Sequence, residues 1–452
     1  MFEFKTVMHA IPTNQLWIYY GLVIVTYIIF LRKLKFTHLT VLILLIFNRG
    51  LLQIIDYSGL IYKILSSIII LDLFFRNSNK IVKTRKISKI LFLFMGFLIV
   101  NLIAYIINGN TILVAISQLR EISFAIILFV ALKSVKLDKD SVNYYIALIL
   151  KLIGFQIVFS AYKLVVMGFR ENVIGSFLRE GGDSSVYLAL LGLTILWVYR
   201  NAKFNKKDWI LIVLFLVIPI ASNKRVIWLI YPIILSYIYY YNTEHVNVRK
   251  TVLLLCLIPL FIYVGFRINP SFNPERIMWG SFDYQYGRDY IFGYSGVSEK
   301  KLSSGYGEGR IGTAITILRY NILNLDSSRS LFGHSPSRYG RVGINDSIAS
   351  KYGLRGEGAL FAALGSSLLI RGLIGTFLYI LMNIKIIQSI NDRKRHRLFL
   401  ILFLWGFVFY SGIFSTNILM MIIYSLVNKQ YNLYEESSRL SLKKKLITES
   451  IG

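Results

Sequence analysis

Between positions 333 and 358 the chain reads GHSPSRYGRVGINDSIASKYGLRGEG. Four cations, Arg338, Arg341, Lys351 and Arg355, stand there against two acids, Asp346 and Glu357. A guanidinium stays charged and grips an oxyanion through two parallel N–H bonds, so arginines gathered in a Gly-rich loop suit a phosphate. A carboxylate among them suits the removal of a proton from a hydroxyl. The stretch closes a longer segment. From Asn269 to Gly356 there are eight Arg, three Lys and seven Asp or Glu, a net charge of +4. That segment also holds the Tyr- and Gly-rich runs FDYQYGRDYIFGYSG and SSGYGEGR. Tyr in such a setting either stacks on sugar faces or packs the loop against a membrane interface.

The elements that must position these residues are apolar. The chain has 452 residues, 55% of them hydrophobic and 16% charged, with a mean hydropathy of +0.59. Apolar runs of about 18 residues recur between Lys/Arg clusters, as a bilayer core of about 30 Å requires of spanning helices. The net charge of +28 does not point to nucleic acid, because most cations sit in short turns where they orient the chain and meet anionic headgroups. The single cysteine, Cys256, lies in an apolar run, which excludes a disulfide framework and a thiolate metal site. The first residues, MFEFKTVMHAIPTNQ, lack a basic start followed by a short apolar stretch, so no cleavable signal peptide is expected.

Seven basic turns set the topology: LRKLK at 31–35, RNSNKIVKTRKISK at 76–89, KSVKLDK at 133–139, RNAKFNKKD at 200–208, VRK at 248–250, DRKRHR at 392–397 and SLKKK ending at Lys445. Placing all seven in the cytoplasm gives a consistent alternation. The spans then fall at roughly 14–31, 36–53, 58–75, 90–108, 112–132, 143–167, 184–200, 209–222, 225–241, 251–268, 372–390, 398–414 and 415–428. The expected fold is an all-α polytopic membrane protein of 12 or 13 helices with its N-terminus outside. Asn48, Arg49 and Asp56 interrupt the stretch 36–58. The chain divides into an N-terminal bundle (1–268), one large extracytoplasmic loop (269–371), C-terminal helices (372–428) and a basic cytoplasmic tail (429–452). No internal repeat is visible, which disfavours an inverted-repeat transporter.

Within the large loop, GRIGTAITILRYNILNL (309–325) places Ile311, Ala314, Ile315, Ile317, Leu318, Ile322 and Leu323 near helical spacing. This predicts an amphipathic helix lying on the membrane surface or on the bundle. Arg310 precedes its first turn and Arg319 lies on its more polar side. GYGEGRIG is not a P-loop, because no Gly-Lys-Ser/Thr follows. Elsewhere SQLREISF puts Arg120 and Glu121 within a span, where ionisable groups are paired or functional. ASNKRVIWL places Lys224 and Arg225 in a hairpin too short to be a solvated loop.

Taken in order, four stretches resemble the O-antigen polymerase and ligase superfamily of Wzy-type polymerases and WaaL-type ligases. VIGSFLREGGDSSVYLALLGL resembles its small-polar turn at the start of a helix. SNKRVIWLIYP resembles its small-polar/Arg hairpin. EGRIGTAITILRYNILNLDSSRSLFGHSP resembles the Gly-Arg, amphipathic helix and Gly-containing turn of its large periplasmic loop. GEGALFAALGSSLLIRGLIGTFLYILM resembles a short helix followed by Gly-Leu-Ile-Gly at the next span. The resemblance covers about 165–390.

It implies a metal-independent, cofactor-free inverting glycosyltransferase of the GT-C kind in the bacterial inner membrane, with its site facing the periplasm. The substrate would be undecaprenyl-diphosphate-linked oligosaccharide, and a chain-length regulator of the Wzz kind is implied as a partner beside the membrane lipids. Arg225 and Arg310 match the family's arginines and are assigned to the diphosphate. Arg338, Arg341 and Arg355 are further candidates for the diphosphate or for acidic sugars, and Arg120, Arg179, Glu180 and Arg319 are additional ones. Ligases carry a His-Asn pair before the short helix that precedes Gly-Leu-Ile-Gly, whereas RGEGALF stands here, with Glu357 in the histidine's place. His334 in FGHSP is not a match. The departure favours a polymerase, with Glu357 as base and Asp346 or Glu180 behind it. A helix-capping Glu357 is the rival reading. The rival functions are a ligase acting on lipid A-core and a non-enzymatic, Wzx-like flippase of lipid-linked oligosaccharide.

Overall fold

The computed structural model describes residues 37–55, 59–77, 85–109, 112–167, 175–177, 183–200, 204–221, 227–242, 248–295, 310–334, 363–409 and 415–451, with isolated positions 21 and 25. Every regular element among these residues is an α-helix. The first are α1 (His38–Phe47), α2 (Arg49–Ile55), α3 (Leu60–Asn77), α4 (Arg85–Ile107) and α5 (Ile112–Ser134). Next come α6 (Lys139–Met167), α7 (Asp183–Arg200), α8 (Lys206–Ala221), α9 (Ile227–Asn242) and α10 (Val248–Ile268). Then follow α11 (Tyr284–Ser295), α12 (Arg310–Leu323), α13 (Ser328–Phe332), α14 (Ala363–Gln388), α15 (Arg393–Phe409) and α16 (Ile418–Ile451).

Each predicted span from 36–53 onward therefore coincides with a helix, or in one case with a broken pair; of the first, at 14–31, only Gly21 and Val25 are described. Among the described residues two helices, Lys86–Ile107 and Ala363–Gln388, are long and apolar enough to cross a membrane by length and composition. The final helix runs on without a break from Ile418 into the predicted basic tail.

The basic turns make good helix starts because they carry capping side chains. Asp138 accepts from the Ser141 amide at 3.1 Å, and Asp392 accepts from that of Lys394 at 2.8 Å. Asn205 and Asp208 form a reciprocal box at the head of α8, with amide contacts of 2.8 and 2.9 Å. Asp208 also pairs with Arg200 at 3.0 Å, which closes the turn after α7. Inside the apolar helices, polar side chains return to their own backbone: Asn101 donates to the Phe97 carbonyl, Thr194 to Leu190 and Asn383 to Tyr379, at 2.7–2.8 Å. This arrangement satisfies a buried amide or hydroxyl where no water can.

Contacts divide the chain into two compact units, one of Met1–Ile81, Ile127–Ile262 and Ile422–Gly452, the other of Val82–Ile126 and Tyr263–Met421. In the first, the break between α1 and α2 falls at Asn48, one of the interruptions read from the sequence. The segment 175–177 docks on the break. The Ser176 hydroxyl donates to the Phe47 carbonyl at 2.8 Å, and the Gly50 amide donates to the Ser176 carbonyl at 2.9 Å. Gln156 accepts from the Phe177 amide at 3.1 Å. Backbone groups released by the break are thus paired.

In the second unit α4 and α14 pack antiparallel. Lys86 reaches Asn391 at 3.0 Å at one end, and Asn108 donates to the Gly333 carbonyl at 3.0 Å at the other. The two basic turns at 76–89 and 392–397 thereby meet at the same end of the pair. The long loop's Gly333 turn sits at the opposite end. Between them Phe97 and Tyr379 pack ring to ring at 5.7 Å, and Tyr379 continues to Phe407 of α15 at 6.0 Å. The outer face of α4 is apolar and open: Phe92 is 78% exposed and Ile106 76%, with Met95, Ile99 and Leu102 between them.

The large loop begins with a compact, hydrogen-bonded turn. Buried Asn273 donates to the carbonyls of Arg267, Asn269 and Ile277 at 3.3, 3.2 and 2.8 Å, and accepts from the Ile277 amide at 3.2 Å. Gly280 leaves room for it, since a Cβ there would stand 2.4 Å from the Asn273 amide. Arg267 donates to the Gly280 carbonyl at 2.9 Å. The Ser281 side chain and amide hold the exposed Glu275 carboxyl below its ordinary value. Asn273→Leu keeps the size and strands three carbonyls and an amide. Expected is a cost of about 2 kcal/mol, read as amide exchange over 269–283 faster by about thirtyfold; unchanged exchange would show that Asn273 does not hold the turn.

Candidate functional site

The loop elements singled out in the sequence gather on one feature of α14. Its backbone leaves the helical region at Gly372, with φ +64° and ψ −169°. The helix is thus a short limb, 363–371, followed by the apolar run from Leu373. The kink falls on the first glycine of Gly-Leu-Ile-Gly, where the sequence places the end of the loop. Non-glycine residues are strongly disfavoured in that backbone region.

The Gly333–His334 turn docks into the kink. The His334 amide donates to the Leu369 carbonyl at 2.9 Å. Gly333 is itself at φ +88°. A Cβ on it would stand 2.2 Å from the Ile370 carbonyl, and one on Gly372 would stand 2.3 Å from that of Leu331. Each glycine is required by the backbone that flanks the other. His334 is buried beside them, 7% exposed.

The helix α12 packs against the short limb. Ile317 is buried with Leu368 and Leu369, and Leu318, Tyr320, Leu364 and Leu373 close around them. The predicted apolar face is divided in two. Ala314 and Ile317 turn inward with Thr313 and Asn321, while Ile315, Ile322 and Leu323 stay exposed. The helix therefore lies on the bundle and still offers a second apolar stripe outward.

Of the candidate residues, Arg310 is the first residue of α12, so its backbone is fixed by that packing, while its side chain lies outside the described residues. Arg319 is on the same helix and exposed. Arg120 is half-buried within α5, and the compensation by Glu121 allowed for in the sequence is not formed: among the described residues Arg120 has no ion pair. Glu357, Asp346, Arg225, Arg338, Arg341, Arg355, Arg179, Glu180 and Lys224 lie outside the described residues.

Two residues at the kink were passed over in the sequence. His334 is set aside there as no match to the ligase histidine, yet it meets the limb that carries the match. Arg371 is taken merely as the end of the loop. Its guanidinium lies 4.4 Å from the centre of the Tyr379 ring and 5.6 Å from that of Phe97. Its Nη1 donates to the Ser367 hydroxyl at 3.0 Å, and that hydroxyl in turn meets Thr376 at 3.1 Å. An arginine between Leu-Leu-Ile and Leu-Ile-Gly, with no acid nearby in sequence, was the available signal.

Among family models, curated proteins and solved structures, none matches the chain.

Proposed function

We propose that this chain is a membrane-embedded polymerase of the Wzy type. In this reading a growing glycan passes from undecaprenyl diphosphate to the end of a new lipid-linked repeat unit at the periplasmic face. The observation that carries it is the convergence at Gly372. The amphipathic helix, the Gly-containing turn and the short helix before Gly-Leu-Ile-Gly are separate pieces of the family resemblance, and all three pack together there. The multi-span bilayer placement is supported by two helices fit to cross and by the open apolar face of α4, a surface that water would penalise.

In the reaction an acceptor hydroxyl attacks the anomeric carbon, and the bond from that carbon to the diphosphate oxygen breaks. The electron pair leaves with the diphosphate. Arg225 and Arg310 offset its growing charge, and Glu357 takes the hydroxyl proton. Clean deletion of the gene in its host tests the reading on a lipopolysaccharide gel. Expected is a ladder reduced to core plus one repeat unit, because export and ligation survive. Loss of every O-antigen band, the single repeat included, would replace the polymerase by a ligase or a flippase.

A further inference from the structure

Arg371 is a cation set among apolar helices, and its surroundings only partly account for it. A guanidinium has five N–H donors. Among the described residues one of its hydrogen bonds is formed, to Ser367, and no carboxylate lies within ion-pair distance. Aromatic faces attract such a cation but leave its in-plane donors unpaired. Tyr379 and Phe97 therefore hold the group without neutralising it. Ionisable residues at such depth mark a ligand or an ion path when no partner is built in.

The fold keeps this arginine in place by specific means. It is the last residue of the short limb, so the Gly372 kink sets its direction. Gly375, one turn on, lacks the Cβ that would stand 2.8 Å from the arginine's own Cβ. Ser367 anchors Nη1 from one turn back and is itself held by Thr376. The side chain is half-buried, so part of it stays reachable. Its guanidinium is set inside the helix pair beside Phe97 of α4, eleven residues short of the Asn108 end that joins the Gly333 turn.

We infer that Arg371 is an oxyanion-binding residue, taking a phosphate group of a membrane-borne lipid through the guanidinium edge that no described residue occupies. A planar fork whose remaining donors no described residue takes, over an aromatic floor, fits two phosphate oxygens, and membrane lipids carry that group. The inference shares with the proposed function only the bilayer placement of α4 and α14. Glycosyl transfer is not needed for it.

The test is native mass spectrometry of the full chain in detergent, titrated with farnesyl diphosphate and, separately, with dioleoylphosphatidylglycerol. Arg371→Gln is expected to weaken at least one of the two by tenfold or more, with Arg371→Lys in between. Loss for farnesyl diphosphate assigns the site to a prenyl diphosphate. Loss for the phosphodiester alone supports the oxyanion site and assigns it to bulk lipid, whatever the deletion gel reports on polymerisation. Equal binding of both probes by wild type and Arg371→Gln overturns the inference. Should the glutamine variant fail to purify as a single species, Arg371→Lys carries the test. It keeps the charge and loses the fork, so binding at the wild-type level would overturn the bidentate site.

Discussion

Arg310→Ala leaves core plus a single repeat on the lipopolysaccharide gel while the protein stays at its normal level in the membrane. The expectation follows from where charge develops. As the glycosidic bond opens, the diphosphate gains negative charge, and a guanidinium aimed at it binds the transition state more tightly than the ground state. Removing one such donor costs on the order of 10²–10³-fold in turnover, enough to take a ladder below detection. The packing around α12 makes the position a fixed one. Arg310 opens a helix whose Ile317 is buried against Leu368 and Leu369 of α14, and the N-terminal turn of a helix adds its own partial positive charge. Arg310→Lys keeps the charge without the fork, so a shortened, sparse ladder is expected from it. A wild-type ladder from Arg310→Ala would remove the residue from the reaction.

What the sequence disclosed and what it withheld divide along a physical line. Apolar run length and cation spacing are local properties, and α1 to α10 and α14 to α16 lie where those properties put them, while α11 and α13 carry no such signal. The break at Asn48 and the helix over 309–325 are legible for the same reason. What packs on a helix is a non-local property. The apolar residues of α12 read as one face, yet Ile317 is buried against the limb with Leu318 beside it, while Ile315, Ile322 and Leu323 stay exposed. Arg371 looks like the rim of a loop until Phe97, nearly three hundred residues away in sequence, is seen beneath it. His334 fails a spacing match and still reaches the limb, because Gly333 turns the chain into the kink. Asn273 gives no signal in the sequence, since an asparagine that closes a turn and one that faces water look alike there. The chemistry assigned to Glu357, Asp346, Arg225 and the arginines after 335 rests on the resemblance alone.

Gly372→Ala is expected to destabilise the protein by at least about 3 kcal/mol, the sum of a backbone region that disfavours any side chain and a backbone collision. At φ +64° and ψ −169° an L-residue is already strained. The added Cβ would also stand 2.3 Å from the Leu331 carbonyl oxygen and 2.5 Å from the Gly333 nitrogen. Neither is a side chain that can rotate away. Relief must come from moving the Gly333 turn or straightening α14, and both displace Arg371 and the limb that carries α12. Gly96→Ala is the matched control on the same helix pair, because its Cβ would meet only the Leu378 side chain at an ordinary 3.8 Å. Thermal unfolding of both variants in detergent separates the two effects: the control should stay within about 1 kcal/mol of wild type, while Gly372→Ala unfolds well below it or fails to accumulate. If Gly372→Ala unfolded with the control, the kink would be an incidental bend. The convergence of loop and helix at that glycine would then lose its claim to build the site.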